Sequence, residues 1–266
     1  GPEACVYTPK LLQKANRELD PEKTKITSFG LAYNLTREWF SSLDLYQLDQ
    51  RDTIQLLNEQ YLMDNEFKIP GFDKLVIRDP RNPVLEQRYP GLQHGRLNTL
   101  VVPFMNVGRI KTQGMDWAVR GSVALAGGRL SLKNELNRQF SYKQSDVAGD
   151  ALTERLDGFY RPAWRNRFSI GFDAAQWGLL WTTNTTASVL NIGDPKNRRP
   201  DVAIERLPSF STHDLSAYYK LGGDLQLQLG ALNAFDKQPR FATNYGGFLD
   251  SQTGPQFYAS LRYRLR

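Results

Sequence analysis

Cysteine is nearly missing from this 266-residue chain, with Cys5 alone. That excludes an intrachain disulfide and a thiolate metal cluster. Histidine is almost as scarce: only His94 and His213 occur, so histidine-based metal centres and catalytic triads are not expected. Asp214 follows His213, but neighbours on an extended chain project to opposite faces, so the two do not form a serine–histidine–aspartate relay. Neither G-x-x-x-x-G-K-[ST] nor G-x-G-x-x-G is found, which removes the common nucleotide-binding loops. No run approaches the roughly 18 apolar residues of a transmembrane helix. The start, Gly1-Pro2-Glu3-Ala4-Cys5, lacks the basic and apolar regions of a secretory signal; a mature or truncated chain would look the same. Loop carboxylates at Asp64-Asn65-Glu66 and at Asp49 and Asp52 are of a type that ligates calcium, but solvated loop charges are the simpler reading. The expectation is therefore no resident metal and no cofactor.

A net charge of +6 with a pI near 9.3 would suit nucleic acid if the cations formed a stripe. Here Lys and Arg are scattered among 28 acids, which reads as a mixed-charge wet surface with no nucleic-acid partner. Strict alternation is what the chain has in abundance. From His213 to Leu221, Leu215, Ala217, Tyr219 and Leu221 share one face, while Asp214, Ser216, Tyr218 and Lys220 share the other. After a turn at Gly222-Gly223-Asp224, Leu225, Leu227, Leu229 and Ala231 repeat the apolar row opposite Gln226, Gln228 and Gly230. A final strand sets Phe257, Ala259, Leu261, Tyr263 and Leu265 against Tyr258, Ser260, Arg262 and Arg264. A period of two marks strands with one apolar and one wet face.

The same pattern recurs along the chain. Residues 1–23 read as irregular and 24–52 as a hairpin, with Phe29, Leu31 and Tyr33 on one face of its first strand. Residues 53–106 carry Pro70, Pro80, Pro83 and Pro90, a density that argues against a packed helical domain. Short strands at Leu75–Arg78 and Thr99–Phe104 are expected inside this segment. Regular structure resumes at Val107, where Met115, Trp117 and Val119 alternate with Asp116, Ala118 and Arg120. Leu130, Leu132, Leu136 and Phe140 follow, with Asn134 as an unexplained polar break in the row. Another hairpin runs through Phe168, Ile170 and Phe172 and returns through Trp177, Leu179 and Trp181. Turns alternate short and long, and aromatics cluster near strand ends, as at Trp39, Phe40, Trp164 and Trp177.

The fold class expected is all-β, an antiparallel up-and-down meander of about nine strands with long extracellular loops, forming part of a transmembrane β-barrel. A soluble sandwich alternates too, but its strands average about five or six residues, whereas the row from Phe257 to Leu265 runs longer. The wet faces carry the charges and the apolar faces almost none. Lipid then meets the leucine-and-aromatic face, and the charged face lines the lumen. A mean hydropathy of −0.51 is compatible with this, because only every second residue of a barrel strand is apolar.

Several motifs in order resemble the TonB-dependent outer-membrane receptors. Gly230-Ala231-Leu232-Asn233-Ala234-Phe235-Asp236-Lys237 is similar to that family's G-x-x-N-L-F-D-K, and Phe257 to Arg264 to its closing strand. Pro208 to Ser216 resembles P-S-Y-T-x-x-D-L-S, Asn106 to Asp116 resembles N-x-G-x-x-x-x-x-G-x-D/E, and Asn16 to Lys23 resembles N-P-x-L-x-P-E-K. The family usually ends on an aromatic residue, where this chain has Leu265-Arg266. It also carries an N-terminal plug, a TonB box and a barrel of about 22 strands. The resemblance thus implies that residues 1–266 are the C-terminal part of a receptor barrel: 1–23 an extracellular loop, 24–52 a hairpin, 53–106 a long extracellular loop and 107–266 the remaining hairpins and closing strand. It implies residence in the outer membrane of a Gram-negative bacterium. It implies import of a scarce nutrient, most often a ferric siderophore, driven by TonB. Partners would be outer-membrane lipid, the missing plug and N-terminal strands, TonB through that plug, and the small-molecule ligand. Tyr160, Arg165, Arg167, Arg198, Arg199, Tyr245 and Phe248 are the candidate ligand contacts, since cations suit an anionic chelate and aromatics supply contact area. Lumen arginines also pair with acids or with the plug. A non-transporting barrel fragment is one alternative. A barrel enzyme is another, but it needs a nucleophile and base on one rim, and His94 is the sole histidine on the long-loop side; no enzymatic activity is expected.

An open sheet leaves two edges, each with about five unpaired N–H and five unpaired C=O groups per ten-residue strand, and each group costs several kcal/mol in lipid. The sum exceeds the usual stability margin of about 5–15 kcal/mol. The isolated chain is therefore expected to give no heat-modifiable, folded monomer band in detergent. Such a band on semi-native electrophoresis would refute the expectation.

Overall fold

The computed structural model describes residues 8–88, 95–145, 151–193, 203–222, 225–244 and 246–263. In chain order the strands are β1 (Lys10–Lys14), β2 (Lys23–Asn34), β3 (Trp39–Leu56), β4 (Val76–Arg78), β5 (Leu97–Leu125), β6 (Gly128–Ser145), β7 (Thr153–Glu154) and β8 (Trp164–Ala174). They continue as β9 (Trp177–Thr186), β10 (Val189–Leu190), β11 (Arg206–Leu207), β12 (Phe210–Gly222), β13 (Leu225–Leu232), β14 (Phe241–Ala242), β15 (Gly247–Phe248) and β16 (Gln256–Tyr263). The short helices α1 (Glu59–Asp64) and α2 (Pro83–Arg88) lie between β3 and β5. The chain divides into two compact units, residues 1–25, 50–110 and 144–152, and residues 26–49, 111–143 and 153–266.

In the second unit, β2, β3, β5, β6, β8, β9, β12, β13 and β16 are neighbours in sequence order, a meander of nine strands. Pairing is antiparallel, with Trp181 opposite both Ile170 and Leu215, and Leu229 opposite both Ala217 and Ala259. These cross-strand neighbours build one continuous apolar face, which stays uncovered: Leu179 is 55%, Leu229 51% and Leu261 65% exposed. The buried apolar residues of this unit (Phe159, Ala187, Val189, Leu207, Phe210 and Ala242) instead sit in loops or where loops join the sheet. A sandwich would bury the sheet face, and each fully buried leucine there would contribute about 1.5–3 kcal/mol. The uncovered face excludes that arrangement. β2 and β16 each have one neighbour, so the sheet does not close on itself.

The polar break at Asn134 has a local cause. Asn134 lies opposite Phe168 and so shares the apolar face. There Asn166 Nδ2 donates to its Oδ1 at 2.9 Å and to the Glu135 carbonyl at 3.3 Å. Two amides that would each be costly in an apolar setting satisfy one another. On the polar face, glycines admit large rings. A Cβ on Gly230 would come within 2.2 Å of the Tyr258 ring opposite it, and one on Gly178 equally close to Tyr218.

The first unit corrects three expectations. Residues 1–23 contain β1, which pairs in parallel with β5 from Lys10↔Thr99 to Lys14↔Pro103. Strand β5 starts at Leu97 and runs unbroken to Leu125, so Thr99–Phe104 is no separate strand and order does not wait for Val107. Pro103 occupies the last pair of the β1 ladder, where a missing N–H is tolerated. Residues 53–106 also build their own core from Leu57, Leu62, Phe72, Val76, Leu100 and Val102. Asn58 caps α1, accepting from Tyr61 N at 2.9 Å. Glu66, 3% exposed, is gripped by Arg78 through Nε at 2.9 Å and Nη2 at 2.6 Å, and Arg78 Nη1 reaches the Gly95 carbonyl at 3.1 Å. That bond to Glu66 raises the Arg78 pKa above its ordinary value. Glu66→Gln would leave half of the grip and an under-compensated guanidinium. We expect a loss of about 2 kcal/mol in local stability, read as faster amide exchange at Leu75 and Val101, whose N–H groups bond Phe72 O and Leu75 O.

Candidate ligand-facing surface

The polar face of the meander carries a cavity of about 510 Å³, with Asp44, Asp116, Glu135, Arg165, Arg167 and Asn184 in its wall. Alternation along β8 puts Arg165 and Arg167 on one face, about 7 Å apart at the strand rise. Arg165 lies opposite Asn137 and Thr186, and Arg167 opposite Glu135 and Asn184. Three of the nearby acids bond other groups. Glu135 pairs with Lys133 at 2.8 Å, Asp116 accepts from Asn137 at 2.7 Å, and Asp214 accepts from Asn184 at 2.8 Å and Asn233 N at 2.9 Å. Neither guanidinium has an ion pair among the described residues. Two exposed guanidinium groups side by side can fork onto the oxygens of an anion, while Asp44, Asp116 and Glu135 keep their charges in the same wall.

Tyr160 and Phe248 stand apart from this cavity. Tyr160 is exposed on the loop after β7, beside the buried Phe159 at 6.2 Å between ring centroids. Phe248 is exposed on the small β14–β15 hairpin, edge-on to Phe241 at 5.2 Å. One buried cluster of Phe159, Val189, Leu207 and Ala242 brings their loops together. Arg198, Arg199 and Tyr245 lie outside the described residues. Beneath the aromatics, Arg240 and Asp250 form a pair only 8% and 9% exposed, and Asn191, 1% exposed, joins three loop segments. Nothing in the sequence pattern singles these out, because each gains its partners only through tertiary contact.

The loop carboxylates are committed to protein partners: Glu66 to Arg78, Asp64 to Gln60 at 2.8 Å, and Asp52 to Lys23 at 3.4 Å. Among the described residues, no three His, Cys, Asp or Glu side chains are grouped to hold a metal. His213 sits on the apolar face, its Nδ1 3.2 Å from Trp181 Nε1 and 3.0 Å from Thr183 Oγ1, while Asp214 faces the other way.

The family model described as TonB dependent receptor-like, beta-barrel, matches residues 6–234. The chain belongs to the TonB-dependent receptor family. Members are receptors and transporters of the Gram-negative outer membrane. Solved structures share the fold. The ferric enterobactin receptor PfeA of Pseudomonas aeruginosa, solved in complex with enterobactin, is 17% identical with a TM-score of 0.62, over 94% of this chain and 32% of that one. The siderophore receptor PirA of Acinetobacter baumannii is 15% identical with a TM-score of 0.61, over 94% and 33%. The copper transporter OprC is 15% identical with a TM-score of 0.55, over 93% and 32%. The chain therefore spans about a third of the length of these relatives. No curated protein matches it by sequence.

Glu154 sets a pH limit on the receptor's loop between β6 and β8. Burial opposes its charge. The Ser141 hydroxyl (2.6 Å) and the N–H groups of Tyr142 (2.8 Å), Leu156 (3.1 Å) and Arg155 outweigh that and hold the carboxyl below its ordinary value. A depressed folded pKa contributes stability that is complete above the unfolded value and is lost as pH falls through the folded one. The protection factor of the Leu156 amide should accordingly drop on acidification below the ordinary carboxylate range. Glu154→Gln should show low protection at every pH.

Proposed function

We propose that this chain is the C-terminal part of an outer-membrane active transporter that binds a scarce nutrient, a ferric siderophore complex, and imports it with energy delivered by TonB. In this reading residues 1–23 and 53–106 are extracellular loops, 24–52 is a hairpin, and 107–266 supply the remaining hairpins and closing strand. Lipid covers the apolar face, upstream strands complete the barrel, and a plug upstream of this chain fills the lumen and contacts TonB. The protein has no enzymatic role.

The unpaired arginines carry the ligand class. Arg165 and Arg167 stand side by side in one open groove, each exposed and without an ion pair among the described residues, a fork that suits an anionic chelate. A bare copper ion, the cargo named for OprC, fits poorly. It prefers thiolate, thioether or imidazole ligands, and two guanidinium groups repel it. The names of PfeA and PirA, which specify ferric enterobactin and a siderophore, point the same way. Tyr160 and Phe248, with Arg198, Arg199 and Tyr245, would add contacts from the loops.

In the full-length receptor, Arg165→Gln and Arg167→Gln should each weaken ferric enterobactin binding by about 10- to 100-fold, the value of one or two charge-assisted hydrogen bonds. Both should leave heat-modifiable migration intact. Unchanged affinity and iron uptake in the double variant would remove the pair as ligand contacts.

A further inference from the structure

The described parts of two loops meet around one side chain, and a third packs against them. Arg240 Nε and Nη2 donate to Asp250 at 2.8 and 3.0 Å, and its backbone N–H donates to the same carboxylate at 3.1 Å. Its Nη1 donates to the carbonyls of Ala187 at 3.0 Å and Pro208 at 2.6 Å. Ala187 and Pro208 flank the loop between β9 and β12; Arg240 and Asp250 close the base of the β14–β15 hairpin. Asn191 adds a second knot. Its Nδ2 reaches Glu205 Oε2 (2.9 Å) and Thr243 Oγ1 (2.8 Å), and its carbonyl accepts from Asn244 at 2.6 Å. The loop between β6 and β8 enters through Phe159, whose ring joins the shared cluster and whose N–H bonds Ile192 O at 3.1 Å.

Loops that only connect strands need no buried ion pair and no shared core. Desolvating a guanidinium and a carboxylate is costly unless every donor finds an acceptor, and here the bonds span loops far apart in sequence. We propose that Arg240 is a positioning residue that ties two of these loops directly and, through the cluster they share with Phe159, holds all three as one preformed platform, presenting Tyr160 and the Phe241–Phe248 pair to the ligand. The ligand-contact part rests on the siderophore reading above. A platform already ordered before binding avoids the entropy of fixing each side chain on contact, so Arg240 raises affinity without touching the ligand.

Asp250→Asn keeps the shape and removes the charge; Arg240→Lys keeps the charge but cannot span Asp250 and both carbonyls. Both are made in the full-length receptor, with ferric enterobactin as the probe. In Asp250→Asn, amide protection at Phe159, Leu190, Asn191 and Leu249 should fall together by about tenfold, and affinity by a similar factor, the cost of re-ordering a few side chains. Arg240→Lys should recover part of both, and heat-modifiable migration should be unchanged throughout. Protection lost at Leu249 alone would reduce Arg240 to a local hairpin staple and overturn the platform. Protection lost in all three loops with unchanged affinity would overturn the positioning role. Should the unsubstituted receptor fail to bind ferric enterobactin, the ligand reading falls, and the exchange result still decides whether the loops form one body.

Discussion

A peptide group in hydrocarbon has no water to bond, so every strand that crosses lipid must find its hydrogen bonds in a neighbouring strand. The second unit is organised by that requirement. Nine strands follow one another, some through tight turns such as Ala126-Gly127 and Ala175-Gln176 and some through long loops, and each ladder supplies the bonds that solvent cannot. With backbone pairing settled by the meander, the side chains have one task per face. Leu179, Trp181 and Leu229 present apolar surface outward, and Arg165, Arg167 and Asn184 keep polar chemistry on the other side. The Asn134–Asn166 pair follows the same rule at side-chain scale, because two amides on an apolar face are tolerated only by bonding each other.

The loops solve the opposite problem. They lie outside the long ladders, yet they bury a larger share of the apolar core than the sheet does. Leu62 and Val189 are fully buried in loop regions while sheet residues such as Leu261 are open. Charge is handled just as differently. Arg78–Glu66 and Arg240–Asp250 are drawn inward and saturated, whereas Arg165 and Arg167 are exposed on the sheet without an ion pair among the described residues. Saturated cations of this kind fix structure.

Sheet and loops differ in how much the sequence discloses. A period of two is a local property, so the strands, their facing and the uncovered apolar side were legible from rows such as Phe168, Ile170 and Phe172. The side-by-side placement of Arg165 and Arg167 followed from the same spacing. Helix α1 was not legible, since six residues are too few for a helical period to emerge from a proline-rich segment. The continuity of β5 was not legible either, because Asn106 and Gly108 interrupt the alternating row between Thr99–Phe104 and Met115. Arg240 and Asn191 gave no hint at all: their roles depend on carbonyls and amides more than fifty residues away in chain order, at Ala187 and Asn244. The tyrosine beside Phe159 could be named, but not the cluster that anchors its loop.

The strand count carries a geometric consequence. Nine antiparallel neighbours make the first and last, β2 and β16, run in the same direction. A second copy set edge to edge in the same up–down sense would meet its partner strand in parallel. Sealing the ribbon with antiparallel pairs alone takes an odd number of further strands, with both rims running opposite to β2 and β16.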